Sequence, residues 1–335
     1  MTSKAYYRPI TQSGAARPKA ALSLAGGLGW FTHVERLARG QAGEIIPLGD
    51  VPDAQLETLS QQRPPICGLG LDQPRLMGVL NTTPDSFSDG GRFDRADAAL
   101  AQARTLISEG ADILDIGGES TRPGADYVDP MREIDRTVPL IKALQDQNVQ
   151  TPISIDTRKA PVAVAALEAG AGMVNDVSAL SFDDKMAGVV GENNAPVCLM
   201  HASGDPKTMQ DNPEYEDVVL DVYDYLNARV AYCVGQGIDR SRIVVDPGIG
   251  FGKTKDHNLT LIRNLSLFHG LGCAILLGVS RKRFIGTIGG EPVADLRAPG
   301  SIAVGLEGLR QGVQMLRVHD IRETRQAVSL WQAIQ

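Results

Sequence analysis

Residues 242–254 read RIVVDPGIGFGKT, a β-branched run that stops at a carboxylate and opens into a glycine-rich loop. A glycine-rich loop ending in Gly-Lys-Thr after a strand suggests a nucleotide phosphate cradle, which requires G-x-x-x-x-G-K-[ST]. Counting back from Gly252 places Pro247 where the first glycine must stand. The dinucleotide pattern G-x-G-x-x-G fails as well, since Gly248 and Gly250 would require a glycine at Lys253. The stretch is a buried strand that delivers Asp246 into a tight turn, and its meaning depends on how the other strands end.

They end the same way. Short apolar runs stop at polar residues at 75–81 (RLMGVLN), 112–118 (DILDIGG), 152–157 (PISIDT) and 172–178 (GMVNDVS). Four more follow at 196–201 (PVCLMH), 242–247 (RIVVDP), 273–280 (CAILLGVS) and 313–320 (VQMLRVHD). Continuously apolar strands imply a parallel sheet covered on both faces. Segments such as RADAALAQARTLISEGA and APVAVAALEAGAG between them have helical periodicity, with glycine near the C-terminus. Eight strand–helix units predict an α/β fold, a (β/α)8 TIM barrel over residues 71–335, with a short N-terminal extension at 1–70. The alternative is a doubly wound open sheet. The barrel places chemistry at the strand C-termini on one rim. There the sequence puts Asn81, Asp115, Asp156, Asn175, His201, Asp246, Ser280 with Lys282, and Arg317 with His319.

Composition narrows the function. The formal net charge of −7 over 335 residues argues against a nucleic-acid surface. A few focused Arg and Lys side chains still allow small phosphate-bearing substrates. Cys67, Cys198, Cys233 and Cys273 are far apart with no C-x-x-C, which excludes a sequence-legible zinc or disulfide framework. No apolar run approaches the ~18 residues of a membrane span. Residues 21–31 lack the cleavage flank of a secretion signal. A cytoplasmic location with no membrane partner is expected.

Asp156, Asn175 and Asp246 can each be read as helix caps. Taken with Lys282 they form a mixed acceptor and donor set suited to a flat heterocycle rich in N–H, amino and keto groups. Arg317 and His319 lie two apart on the last strand and point the same way, where a barrel commonly binds phosphate. A salt bridge to Asp320 or Glu323 is the plainer alternative. The loop NTTPDSFSDGGRF (81–93) is too long for a tight connector, and Asn81, Asp85 and Asp89 offer oxygens suited to Mg²⁺. A second loop, GGESTRPGADYV (117–128), can serve as the other half of a lid.

The blocks MGVLNTTPDSFSDGG, DIGGESTRPGA, SIDTRKA, VNDVSAL, LMHASGDPKTMQ, DPGIGFGKT, GVSRKRFIG and LRVHD follow one another in the order seen in bacterial dihydropteroate synthases, which the chain resembles from about residue 70 onward. The resemblance implies condensation of 6-hydroxymethyl-7,8-dihydropterin diphosphate with 4-aminobenzoate, the folate-pathway step blocked by sulfonamides. It implies that Asp156, Asn175, Asp246 and Lys282 bind the pterin, with Arg317 stacked on it. It further implies that Asn81, Arg317 and His319 hold the diphosphate, with Mg²⁺ on Asn81 and Asp89 closing from the first loop. Phe87, Thr121, Arg122, Pro123, Phe251 and Ser280 would line the aminobenzoate pocket. The catalytic set is Lys282, Arg317, His319 and Asp89, and alanine at Lys282 or Arg317 is expected to remove turnover with the fold intact. A homodimer is expected from the family.

Thr82, Arg158 and Ala160 depart from the family pattern, as do the residues after His201, which bears on fine specificity. Two other functions fit a pterin-binding barrel: a methyltransferase moving a methyl group to a corrinoid, and a non-catalytic pterin-binding paralogue. The S-R-K and S-T-R-P loops speak against the first. In the extension, ALSLAGGLGWF (21–31) and GEIIPLGD (43–50) read as short strands, HVERLARG (33–40) as helix-like, and QQRPPICG (61–68) as a linker to the barrel. The extension is expected to be a structural appendage.

Overall fold

A computed structural model of the chain describes residues 4–82, 92–120, 125–203 and 213–335. Eight strands form a closed barrel: β6 (Arg75–Asn81), β7 (Ile113–Gly117), β8 (Ile153–Asp156), β9 (Met173–Asp176), β10 (Val197–Met200), β11 (Ile243–Asp246), β12 (Ala274–Leu277) and β13 (Met315–Val318). All neighbours are parallel, and β13 pairs back onto β6 with Arg317 opposite Met77. That last pairing separates a barrel from an open doubly wound sheet, which would leave two edges.

Strand alternation divides the apolar residues into two sets. Leu80, Ile116, Ile155, Leu199, Val245 and Leu277 face outward and merge with the helices into one large core. Met77, Ile113, Met173, Cys198, Val244 and Met315 meet inside the barrel, closed from below by Ile66 and Leu71. The lower barrel interior is therefore mostly hydrocarbon, with the buried Ser154 as a polar exception, and the polar side chains gather above it.

Helices start where the sequence offers caps. Asp129 accepts the N–H of Met131 at α3 (Pro130–Asp146), and Asp217 accepts those of Val219 and Leu220 at α6 (Val218–Gly235). Thr254 and His257 form a reciprocal cap at α7 (Lys255–Arg263). This accounts for the Gly-Lys-Thr of the opening stretch: the threonine starts a helix, and the lysine before it is buried. Among the described residues no helix is long and apolar enough to cross a membrane.

The extension holds a three-stranded antiparallel sheet, β1 (Tyr6–Pro9), β4 (His33–Leu37) and β5 (Glu44–Pro47) in the order β1-β4-β5. It also holds a two-stranded piece, β2 (Leu22–Ser23) with β3 (Trp30–Phe31), and the helix α1 (Asp53–Ser60). Residues 33–37 are thus a strand and not the helix expected from HVERLARG. Val34 is buried with Phe31 and Ile46 while its neighbours point outward, so pairing on both sides overrides a local pattern too short to nucleate a helix. The extension docks on α6 and the turns at 265–271. Tyr6 donates to Asp224 (2.8 Å), Arg39 bridges Asp221 and Asp224 (2.6 and 2.7 Å), and Ser266 donates to the Pro9 carbonyl (2.9 Å). The connecting stretch is fixed rather than loose. Arg63 is buried and donates to the carbonyls of Thr58, Gln61, His269 and Cys273 at 2.9–3.1 Å.

Candidate active site

The polar layer sits on inward-facing positions near the C-terminal ends of the strands, above the hydrocarbon plug, with Asp115 one inward step below the level of Asp156. At its centre is Arg317. Its Nε donates to Asp115 Oδ2 at 2.6 Å and its Nη2 to Asp156 Oδ2 at 2.7 Å. Asn175 Nδ2 donates to the same Asp115 oxygen at 3.1 Å. Arg317 on β13 thereby reaches across β6 to β7 and β8, and Asn175 on β9 joins the same set. Burial opposes the charge on Arg317, but the two carboxylates outweigh it and hold the guanidinium firmly ionised. Asp156 is pushed up to about 7, first by burial, with Arg317 pulling it down and Asp115 pushing it up. Asp115 Oδ1 and Asp156 Oδ1 are buried without a hydrogen-bond partner among the described residues. Unmet acceptors in a polar cavity are what an incoming N–H donor would satisfy.

Two glycines keep that cavity open. A Cβ on Gly117 would stand 3.4 Å from Asp156 Cβ and 3.7 Å from Asn81 Oδ1, and one on Gly278 would stand 3.7 Å from Asp246 Oδ2. Both would therefore project into the space between the ligand candidates. Across from Arg317, Asp246 accepts the Gly248 N–H at 2.7 Å. Gly248 has φ +68°, and any Cβ there would lie 1.8 Å from the His201 carbonyl oxygen, so only glycine permits the turn. Lys282 extends over the Phe251 ring, its Nζ 4.1 Å from the centroid. Behind this wall the buried Lys253 contacts His201 Nδ1 (2.8 Å) and donates to the Phe251 carbonyl (2.9 Å). Burial draws Lys253 down to about 7 and His201 to about 2, so His201 stays neutral.

Burial also raises Asp246, to about 6, against the pull of the Gly248 N–H and of Lys282. The folded value lies above the unfolded value of 3.8, so between the two the folded state keeps a proton that the unfolded state has lost. This carboxylate therefore weakens the ligand-free fold as pH rises through that window. Asp246→Asn is expected to match the parent in thermal unfolding near pH 4 and to exceed it at pH 8 by roughly 1–3 kcal/mol. A variant no more stable than the parent at pH 8 would refute this.

Ser280 Oγ accepts the His319 N–H at 3.2 Å and lies 2.9 Å from His319 Nδ1. Both contacts are satisfied when the hydroxyl donates to Nδ1, and Nε2 then carries the ring proton. Asn81 ends β6 on the same rim. Among the described residues there is no cluster of three or more His, Cys, Asp or Glu for a metal, and Asp115 and Asp156 are committed to Arg317. One amide oxygen beside an open cavity still fits Mg²⁺ when substrate phosphates and water complete the shell.

Residues 77–319 match the profile of the pterin binding enzymes. The chain is 47% identical over 269 residues to a dihydropteroate synthase of Neisseria meningitidis serogroup C, covering 79% of this chain and 94% of that one. The chain belongs to the dihydropteroate synthase family. Two solved structures of the Xanthomonas albilineans dihydropteroate synthase are also similar. The one with 4-aminobenzoic acid has a TM-score of 0.76 at 44% identity, covering 82% of this chain and 98% of that one. The one with 7,8-dihydropteroate has a TM-score of 0.74 at 41% identity, with the same coverage.

Within this synthase barrel, Asn81, Asp156, Asn175, Asp246, Phe251, Ser280, Lys282, Arg317 and His319 all lie at or just beyond the C-terminal ends of the barrel strands. Phe87, Asp85, Asp89, Thr121, Arg122 and Pro123 lie outside the described residues. Arg317 does form a salt bridge, but with Asp115 and Asp156; Asp320 is taken by Arg281. Of the departures, Thr82 donates to the Gly117 carbonyl (3.1 Å), and Arg158 pairs with Glu119 (3.2 Å) and stacks on Phe182. Two residues of the site, Asp115 and Lys253, have no binding role assigned from the sequence. Asp115 was visible as a strand-end carboxylate, and its alternation with Ile113 marks it as inward-facing. Nothing local marks Lys253 as buried.

Proposed function

We propose that the chain is a transferase joining 6-hydroxymethyl-7,8-dihydropterin diphosphate to 4-aminobenzoate, releasing 7,8-dihydropteroate and pyrophosphate. The observation that carries this reading is the buried Arg317–Asp115–Asp156 assembly, ringed by Asn175, Asp246 and Lys282, with His319 held by Ser280 beside it. Asp156 and Asp246 accept N–H groups from the pterin, Asn175 and Lys282 meet its ring nitrogen and keto oxygen, and charge assistance makes these contacts short and directional. Two of the five in-plane N–H groups of Arg317 serve the carboxylates, which leaves the others for the diphosphate and the flat guanidinium face for stacking on the pterin.

Bond breaking occurs between the pterin methylene and the diphosphate oxygen, and the electron pair departs with pyrophosphate. The electron-rich pterin stabilises the cation, the aniline nitrogen forms the new C–N bond, and its surplus proton leaves to solvent. No protein nucleophile takes part. Arg317 and the Nε2–H of His319 face the charge that develops on the leaving group. Mg²⁺, held by Asn81 with substrate oxygens, supplies further neutralisation there when bound. Phe251 and Ser280 form one wall of the amine pocket, and Phe87, Thr121, Arg122 and Pro123 complete it, with Asp89 closing over the diphosphate. Residues 1–70 serve as a structural extension of the barrel at 71–335, and the enzyme works in the cytoplasm as a homodimer.

The test is pyrophosphate release from the pterin diphosphate with Mg²⁺, with and without 4-aminobenzoate. Amine-dependent release with dihydropteroate formed is expected. Pterin binding without release would point instead to a binding paralogue. Lys282→Ala is expected to lower kcat by about 10²-fold or more with the fold unchanged, since it removes the ammonium that lies over the Phe251 ring at the rim of the site. Near-parent turnover would remove Lys282 from the catalytic set.

A further inference from the structure

The residue between Ser280 and Lys282 makes its side-chain contacts outside the set of rim ligands, and both its side chain and its backbone are held. Arg281 has φ +58°, in the left-handed region that a side chain disfavours. Its Nε and Nη2 donate to the two oxygens of Asp320 at 3.2 and 2.5 Å, and its Nη1 pairs with Asp295. Its backbone is fixed as well: the N–H donates to Ser301 Oγ (2.8 Å), and the carbonyl accepts from Arg297 (3.1 Å). The two partners differ in weight. Asp295 is 79% exposed, whereas Asp320 is 12% exposed, so the forked pair to Asp320 dominates.

Asp320 stands at the N-cap of α10 (Ile321–Ala333), where an aspartate normally accepts a helix N–H. Its side chain makes no such bond. Both oxygens go to Arg281 instead. The fold thus forgoes a cap and holds a strained backbone to connect the loop after β12 with the loop after β13. Strain kept against two local preferences points to function. Each loop carries rim residues: Ser280 and Lys282 beside Arg281, His319 beside Asp320.

We propose that Arg281 and Asp320 form a positioning brace that sets the Ser280–His319 contact and the aim of Lys282, and so tunes recognition of the leaving diphosphate. The proposal rests on the functional reading above for what the rim binds. It requires the pair to act as a unit and to affect pyrophosphate more than stability.

The experiment compares Arg281→Gly, Arg281→Lys, Asp320→Asn and the double variant Arg281→Gly/Asp320→Asn in the full-length protein. Turnover, pyrophosphate affinity by calorimetry with Mg²⁺, and thermal unfolding are measured for each. Glycine relieves the backbone strain and frees Asp320 to cap α10, so Arg281→Gly is expected to unfold no earlier than the parent. It should nevertheless lose about tenfold or more in kcat and in pyrophosphate affinity, with the KM for 4-aminobenzoate changed less than kcat. Arg281→Lys keeps the charge without the fork and should recover little. Asp320→Asn should match Arg281→Gly, the double variant should be no worse than either, and added guanidinium should partly restore Arg281→Gly. Kinetics and pyrophosphate affinity of Arg281→Gly within twofold of the parent would overturn the brace. So would additive losses in the double variant, or losses that merely track unfolding. A parent chain without amine-dependent release would sink the functional reading instead, and the pyrophosphate titrations would then decide the brace by themselves.

Discussion

Arg317→Ala is expected to abolish measurable turnover, a loss of about 10³-fold or more, since it removes the donor facing the leaving group and the cation that organises the pterin cradle. The structure adds a second consequence that the sequence did not suggest. Asp115 and Asp156 are buried, and without Arg317 each becomes an uncompensated carboxylate. Breaking such a pair typically costs about 3–5 kcal/mol. Arg317→Ala is therefore expected to weaken the fold as well as abolish turnover, whereas Lys282→Ala is expected to leave the fold intact. Unfolding of the ligand-free variant should be earliest at high pH and recover on acidification, because Asp156 can take up a proton. Arg317→Lys should regain part of the stability but little of the activity, since an ammonium cannot span the two carboxylates as a guanidinium fork does. An alanine variant as stable as the parent at pH 8 would show that the ion pairs contribute nothing net.

The second large effect lies at the other end of the barrel. Arg63→Ala is expected to destabilise the protein by about 3 kcal/mol or more while leaving kcat of the surviving folded fraction within about twofold. Among the described residues its guanidinium contacts no carboxylate. It is held by four backbone carbonyls contributed by α1, the residues after it, the 265–271 turns and the residue before β12. Burial without a counter-ion draws the group down to about 10, still far enough above neutrality for it to stay charged. Alanine would strip the donors from carbonyls that water cannot easily reach. Thermal unfolding followed beside turnover checks this: a variant that loses activity but not stability would give the extension a role in catalysis, contrary to the reading as a structural appendage.

Most of the barrel was legible in the chain because its signal is local. A buried parallel strand must be apolar along its whole length, and it must stop where its carbonyl end meets solvent. RIVVDP and the seven runs like it meet both demands within about six residues each. The polar residues at those stops could be read for the same reason, since alternation along a strand fixes which side chain points inward. Short elements outside the barrel were less legible. Residues 33–37 form a strand because Tyr6–Pro9 and Glu44–Pro47 pair on either side, partners that lie outside HVERL and that no helical or β pattern within it records.

By itself the sequence determined the repeat of eight strands, the rim on which the chemistry gathers, and the rejection of a nucleotide cradle at 246–254. Each depends on residue type and spacing over a few positions. Only the tertiary structure decided which rim residues bind one another. Arg317 finds Asp115 and Asp156, 202 and 161 residues away, because β13 closes onto β6 and brings β7 and β8 to its side. It likewise turned the lysine of Gly-Lys-Thr inward to His201 and diverted Asp320 from its helix to Arg281. Polar side chains each have several possible partners, and the closed barrel selects among them by distance and by excluding water, neither of which is written in the local chain.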